Sequence, residues 1–473
     1  MAEPEMTLME KVVSLAKRRG FIFPGSEIYG GLAGTWDYGP YGVILQHNIK
    51  EIWWNMFINN RDDMYPIDAA IIMNPKAWEA SGHVAGFSDP MVKCNKCGYQ
   101  FRPNEFDVPS NVSADTETLS RGDFNVSVPG LTTGILTDAT TALINSETIC
   151  PRCKEKGTIS SSGQFNVMFK TSVGAGENAI TSYLRPETAG GMFVNFKNVM
   201  DSIHPKLPFG LGQIGKAFRN EIAPRDFIFR QREFKQMEVE YFVRPNEWEV
   251  SFEEWRKTMH KYAKAIGIPD THIHELEVPD NDRAHYSKRT IDFEFDYPFG
   301  RKELWGLAYR GDFDLKQHQE FSGVPLVAND EGEAPFTPHV IEPSLGVDRT
   351  VLAVLTSAYT EDEMNGETRT YLKLLPAVAP VLCAVSPLLK NKPELVDKAR
   401  EVYAMLKKEF GRVVFDDNGN VGKRYRRQDE IGTPYCIVID FETLEGKGVT
   451  VRHRDNGEQE RVATEDLKSF LSK

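Results

Sequence analysis

Residues 230–240, Arg-Gln-Arg-Glu-Phe-Lys-Gln-Met-Glu-Val-Glu, carry the densest chemistry in the chain. Read as a strand, their period-two alternation puts Arg230, Arg232, Phe234, Gln236, Glu238 and Glu240 on one face. Met237, Val239, Tyr241 and Val243 fall on the other face and would supply core. The polar face passes from cations through an aromatic ring to carboxylates, with about 14 Å between Phe234 and Glu238. That suits a ligand with a base at one end and an amine at the other. An exposed salt-bridge ladder is the plainer reading of the same residues. Just upstream, Phe218-Arg219-Asn220-Glu221 makes a polar-laden turn.

Two further segments pair arginine with acid. His339 through Arg349 leads into an apolar helix over 351–358, with Ser344 as its candidate N-cap. Arg349 then lies near the positive end of a helix dipole, which calls for an anionic partner. A phosphate would serve, as would Asp348 or solvent. The third segment is Arg185-Pro186-Glu187-Thr188. No P-loop occurs, so a nucleotide would have to be held by arginines and a strand face. Separately, Cys94-x-x-Cys97 and Cys150-x-x-Cys153 have the turn spacing that offers four thiolates to one zinc ion, clipping the ends of a long loop together. Reduced, unliganded cysteines are the alternative. Cys383 and Cys436 sit in apolar runs and read as core.

The elements that must position these residues follow from periodicity. Apolar residues at helical spacing predict helices over 5–20, 42–58 and 249–266. Residues 98–149, rich in Ser, Thr, Asp and Gly, read as a β or loop insertion. Short strand-like runs dominate 165–243 and return over 290–321. A proline-marked junction, Pro376 to Pro380, opens a segment of strands alternating with helices, which predicts a small α/β domain. Within it, Lys423-Arg424-Tyr425-Arg426-Arg427 is either an RNA contact or a solvated helix face. A chain of 473 residues is too long for one ordinary core, so two or three domains are expected. Its net charge of −12 disfavours a generally nucleic-acid-binding surface but leaves room for a local basic patch. No apolar run approaches membrane-spanning length, and the acidic N-terminus has no apolar signal core, so the expected location is cytoplasmic, with no membrane partner.

Several stretches together resemble the motifs of the dimeric class II glycyl-tRNA synthetases, over nearly the whole length. They are Tyr38-Gly39-Pro40-Tyr41-Gly42, Ser81-Gly82-His83, Tyr183 through Ala189, Gln213-Ile214-Gly215 running into Phe218 through Ile222, and His339 through Arg349. The resemblance implies an α+β fold. A six-stranded antiparallel catalytic sheet would occupy 1–97 and 150–375, with the 98–149 insertion bracketed by the cysteine pairs. Residues 376–473 would form an anticodon-binding α/β domain, and residues 40–58 would pack at a homodimer interface. It also implies ATP-dependent activation of glycine and its transfer to the 3′ end of tRNA(Gly).

Arg219 and Arg349 would then be catalytic, on the α- and γ-phosphates, with Phe234 stacked on adenine. The implied ATP set is Arg219, Asn220, Glu221, Phe229, Arg230, Arg232, Phe234, Glu303, Leu304, Gly346 and Arg349, with Glu303 also serving magnesium. Arg102, Glu187, Glu238, Glu342 and Ser344 would surround glycine. Lys423, Arg424, Arg426 and Arg427 are the candidate tRNA contacts. A class II enzyme for serine, threonine or proline is the nearest rival, and the pocket glutamates favour glycine over it. A non-catalytic nucleic-acid-binding relative would have lost Arg219, Arg349 and Glu342, and all three are present.

Overall fold

The computed structural model describes residues 6–101, 149–284, 286–329, 334–364 and 366–472. Arg102 and most of the expected insertion, residues 102–148, lie outside the described residues.

The chain opens on the helix Leu8–Arg18, started by a Thr7–Glu10 capping box that satisfies two of its free amide donors. A hairpin of β1 (Ile22–Pro24) and β2 (Trp36–Tyr38) leads into the helix Pro40–Trp54, which has proline in its first turn. Gly42 lets that helix lie directly on the preceding backbone: a Cβ there would stand 1.8 Å from the Phe21 carbonyl oxygen. After β3 (Met64–Pro66), β4 (Ser88–Cys94), β5 (Gln100–Phe101) and β6 (Ile159–Asn166) make a small antiparallel sheet with the cysteine pairs at one end. A hairpin of β7 (Lys170–Val173) and β8 (Ile180–Tyr183) follows.

Then come β9 (Phe209–Phe218), β10 (Glu233–Val243), β11 (Ile273–Glu277), β12 (Arg289–Tyr297), β13 (Gly300–Gly311) and β14 (His339–Gly346). These six strands are antiparallel in the order β11-β12-β13-β14-β10-β9, and the short β3 adds a seventh, parallel to β9. Met237, Val239, Tyr241 and Val243 on β10 enter the main core. There they meet Trp255, Met259 and Tyr262 of the helix Trp248–Ala265 and the apolar residues of the helix Val347–Ala358. Helices therefore cover one face of the sheet, and the polar face is left for a ligand.

A hairpin of β15 (Tyr359–Met364) and β16 (Glu367–Leu372) joins this unit to the last one. That unit holds β17 (Cys383–Pro387), β18 (Val413–Phe415), β19 (Tyr435–Ile439), β20 (Val449–His453) and β21 (Gln459–Val462), in the order β18-β17-β19-β20-β21. The first pairings are parallel and the rest antiparallel, around a separate core that includes Leu395, Val402, Leu406 and Ile437. No helix among the described residues is long and apolar enough to cross a membrane.

Four sequence expectations need correcting. The strand-like stretch 165–243 contains a 15-residue helix, Ala189–Ile203, whose buried Met192, Phe193 and Phe196 follow helical spacing. The stretch 290–321 ends in the helix Phe313–Ser322. Strand β10 begins at Glu233, so Arg230 and Arg232 belong to the loop before it. Finally, Ser344 lies within β14, and Gly346 caps the helix that follows.

Candidate active site

The polar face of the sheet floors a cavity of about 410 Å³, a size suited to a small-molecule ligand. Strand register assembles its acidic end. Glu238 pairs across β10 and β14 with Ser344, whose hydroxyl donates to Glu238 Oε1 at 2.5 Å. Gln236 donates to the same oxygen at 2.8 Å, and the Thr188 amide donates to Oε2 at 3.0 Å, joined by the Thr188 hydroxyl. Glu238 is thus locked from four sides. Glu342, two residues before Ser344 on the same face, accepts from Arg310 at 2.8 Å. Arg310 is in turn gripped through two nitrogens by Asp314, at 2.7 and 2.8 Å. Glu187 reaches in from the loop after β8 and faces His83 Nε2 at 3.4 Å.

This loop is stapled to the sheet by Arg185, which donates to the carbonyls of Lys216 at 2.6 Å and Ala69 at 2.7 Å. Gly215 makes room for that guanidinium: a Cβ there would stand 2.1 Å from Arg185 Nη2. Arg185 is therefore scaffold, while its neighbour Glu187 lines the cavity.

Three buried carboxylates converge, and their ionisation divides according to the partners each one has. Burial lifts Glu238, Glu187 adds to this, and the bonds from Ser344 and Thr188 oppose it. Burial likewise lifts Glu342 to about 8, against the pull of Arg310 and helped by Glu238 and Glu187. For Glu187 burial also pushes upward, but His83, then Arg310 and Arg219, hold it down to about 2. Carboxylates raised by burial and by one another are the condition that selects a cationic ligand group.

The other end of the cavity is cationic and aromatic. Arg219, just past β9, lies between the rings of Phe87 and Phe234 at 5.3 and 5.4 Å, with Nε on the Pro186 carbonyl at 3.1 Å. Arg349 lies 4.4 Å over Phe229 and pairs with Glu303 at 3.1 Å. Asp348 is not its partner, because it takes the Tyr38 hydroxyl at 2.5 Å and the Lys235 amide at 2.8 Å. Glu221 and Arg230, 3.7 Å apart, also line the wall, as do Leu304 and Gly346. Two of the expected ATP contacts stand off this wall. Arg232 gives its guanidinium to the carbonyls of Ala33 and Glu221, and the Asn220 amide is bonded to the Val167 carbonyl.

Away from the cavity, the sulfurs of Cys94 and Cys153 are 3.7 Å apart, as are those of Cys97 and Cys150, and all four lie within 4.8 Å of one another. That is far beyond the length of a disulfide and matches the edge of a tetrahedron with about 2.3 Å metal–sulfur bonds, about 3.8 Å. The four thiols therefore have the donor type and spacing for zinc.

The basic run forms the helix Val421–Glu430. Arg424 does not face solvent: it is buried, with its guanidinium on the carbonyls of Pro387, Asp417 and Gly419. Arg427 is held by Asp416 at 2.7 Å, and Arg426 pairs with Glu367 at the surface. Lys423 is exposed.

Sequence reasoning missed Arg310, Asp314 and Thr188 as parts of the acidic pocket. Arg310 and Asp314 stand four residues apart where β13 passes into a helix, a spacing that carries a pairing signal. Thr188 gave no signal beyond its place after Glu187.

An antiparallel sheet flanked by helices, with arginines and a phenylalanine at one end of its open face and carboxylates at the other, is the arrangement of a class II synthetase core. A model of the tRNA synthetase class II core domain (G, H, P, S and T) matches residues 169–358, and a model of the anticodon binding domain matches residues 382–473. The chain is 47% identical to a glycine–tRNA ligase of Alkaliphilus oremlandii, covering 98% of each chain, and 47% identical to one of Bacillus thuringiensis, covering 99% of each. It is 48% identical to a glycine–tRNA ligase of Lachnospira eligens, covering 98% of each. The chain belongs to the glycine–tRNA ligase family.

Proposed function

We propose that this chain activates glycine with ATP, giving glycyl-adenylate and pyrophosphate, and then transfers glycine to the 3′ end of tRNA(Gly). The observation that carries this reading is the crowded acidic pocket of Glu187, Glu238 and Glu342 at one end of a cavity whose other end offers Arg219, Arg349 and Phe234. Glycine has no side chain to recognise, so its ammonium must supply the attraction. Favourable contact with one methyl group is worth only about 1–3 kcal/mol, so larger amino acids are excluded by crowding rather than by missing attraction.

In the first step a glycine carboxylate oxygen attacks the α-phosphorus, and the bond to the bridging oxygen of pyrophosphate breaks. Arg219 neutralises charge developing on the α-phosphate oxygens, Phe234 carries adenine, and Arg349 exchanges Glu303 for the γ-phosphate. In the second step the terminal ribose 3′-hydroxyl attacks the adenylate carbonyl, releasing AMP and a proton. Among the described residues no side chain in the cavity is placed as a general base, so catalysis rests on positioning and charge stabilisation. Glu303 and Glu221 are hard oxygen donors beside triphosphate-binding arginines, which suits magnesium; the ion would neutralise the phosphates and the leaving pyrophosphate.

Glycine-dependent pyrophosphate exchange followed by charging of tRNA tests the reading. Strong stimulation of exchange by glycine is expected; stimulation by serine, threonine or proline with none by glycine would overturn it.

The four cysteines we assign to a structural zinc ion. Protein purified without chelator should hold about one zinc per chain, and Cys153→Ser should lose it and lower the melting temperature. Metal-free wild-type protein with unchanged stability would return the cysteines to plain reduced thiols. Their reduced state also accords with a cytoplasmic location. For tRNA, Lys423 and Arg426 are the basic-helix residues left at the surface, with Arg427 partly engaged. A homodimer is supported by the apolar residues Ile28, Tyr29 and Leu32, exposed at 88%, 87% and 60%.

A further inference from the structure

Ser81-Gly82-His83 is a signature that the chemistry above leaves without a task. Gly82, at φ +82, turns the chain out of the helix Pro75–Ala80 and into the short helix His83–Gly86. The turn drops the His83 ring edge-on between Trp78 and Phe87, at 5.6 and 5.3 Å. Ser81, His83 and Glu187 are all buried. Ser81 Oγ stands 2.8 Å from His83 Nδ1 and 3.3 Å from the Trp78 carbonyl oxygen, while His83 Nε2 faces Glu187 at 3.4 Å. Asn166 anchors the histidine backbone by donating to the carbonyls of His83 and Val84, at 3.3 and 3.0 Å.

The three pocket carboxylates are not held alike. Glu238 has donors on both oxygens and Glu342 has Arg310, but among the described residues His83 is the one side chain within ion-pairing distance of Glu187. We propose that His83 is a positioning residue for glycine: it fixes the Glu187 carboxylate toward the substrate ammonium and keeps it ionised. The proposal rests on the glycine-activating reading above.

The Ser81 hydroxyl can set the ring for this task. If the hydroxyl donates to Nδ1, the ring hydrogen lies on Nε2 and faces Glu187. Without that donor Glu187 would keep only the longer-range pull of Arg310 and Arg219 on a buried charge. Phe87, one turn further on, lies under Arg219. The same short segment therefore touches both the amine-binding carboxylate and the phosphate-binding arginine, each through one ring.

His83→Phe keeps a flat ring in the apolar cage and removes the donor. Expected is a rise in KM for glycine of about 10- to 100-fold with KM for ATP unchanged, read by pyrophosphate exchange. His83→Gln, which restores a neutral N–H, should recover most of that loss. An unchanged glycine KM in His83→Phe would overturn the proposal. So would equal rises in both KM values that glutamine does not relieve, because these would mark a purely structural residue. If His83→Phe does not fold, the glutamine variant and Ser81→Ala decide: a rise of a few-fold confined to glycine supports the proposal, and no change in either refutes it. Absence of glycine-dependent exchange in the wild-type protein would instead refute the underlying functional reading.

Discussion

Replacing Arg219 by alanine is expected to lower glycine-dependent pyrophosphate exchange by about 1,000-fold while leaving the fold intact. The guanidinium lies against the ring proposed to carry adenine and near enough to Glu187 to lower that carboxylate's pKa. An α-phosphate bridging the two must pass there. Among the described residues no carboxylate pairs with it; two aromatic faces and one backbone carbonyl hold it in place. An arginine placed this way has its charge available for a substrate. Charge on the α-phosphate oxygens grows as the carboxylate attacks, so the interaction strengthens in the transition state and the loss should appear in kcat more than in KM. The fold loses two cation–π contacts and one hydrogen bond to the Pro186 carbonyl, about 1 kcal/mol each, so the circular dichroism spectrum should hold and the melting temperature should shift by a few degrees. Arg219→Lys should rescue little, since a point charge cannot replace a planar fork held between rings. Near-normal exchange in Arg219→Ala would remove the residue from the mechanism.

Why this site was readable in advance comes down to strand period. Once Phe234, Gln236 and Glu238 share a face, one correct strand assignment places a ring and a carboxylate about 14 Å apart in a single plane. The opposite face, Met237 to Val243, is all core, so the register could not slip without burying charge. What the strand pattern could not reach were partners from elsewhere in the chain: Thr188 from the preceding loop, Arg310 from β13 and His83 from a four-residue helix. Arg232 illustrates the opposite error. Alternation carried it onto the ligand face, but the strand starts one residue later and its guanidinium closes the loop on Ala33 and Glu221. Arg424 was hidden inside a charge run, although helical spacing held the clue. Arg424, Gln428 and Ile431 recur at i, i+4 and i+7, and all three are buried.

The second large effect is expected in the pH dependence of glycine binding. Arg310 is already neutralised by Asp314 through two hydrogen bonds, so Glu342 shares a cation that is largely spent. Glu238 and Glu187 stand close enough to raise Glu342 further, and the buried Glu240 beside it is itself pushed well above the ordinary carboxylate range by burial and by Glu342. With Glu342 near 8, the empty pocket holds a proton there at neutral pH. A glycine ammonium cannot share the site with that proton, so binding must expel it. The sign follows: below the raised pKa each unit of acidification costs about tenfold in apparent affinity, and above it the dependence flattens. KM for glycine should therefore fall by about 50-fold between pH 6 and pH 8, while KM for ATP moves far less. Calorimetry at pH 7 in two buffers of different ionisation enthalpy should detect release of nearly one proton as glycine binds. Glu342→Gln fixes the neutral form; it should raise the glycine KM at pH 8 by about 100-fold and abolish most of the slope, because no proton is left to displace. A glycine KM that is flat from pH 6 to 8 in the wild-type protein, with no proton released, would mean that Glu342 is already ionised in the empty pocket and that Arg310, not the substrate, supplies its counter-charge.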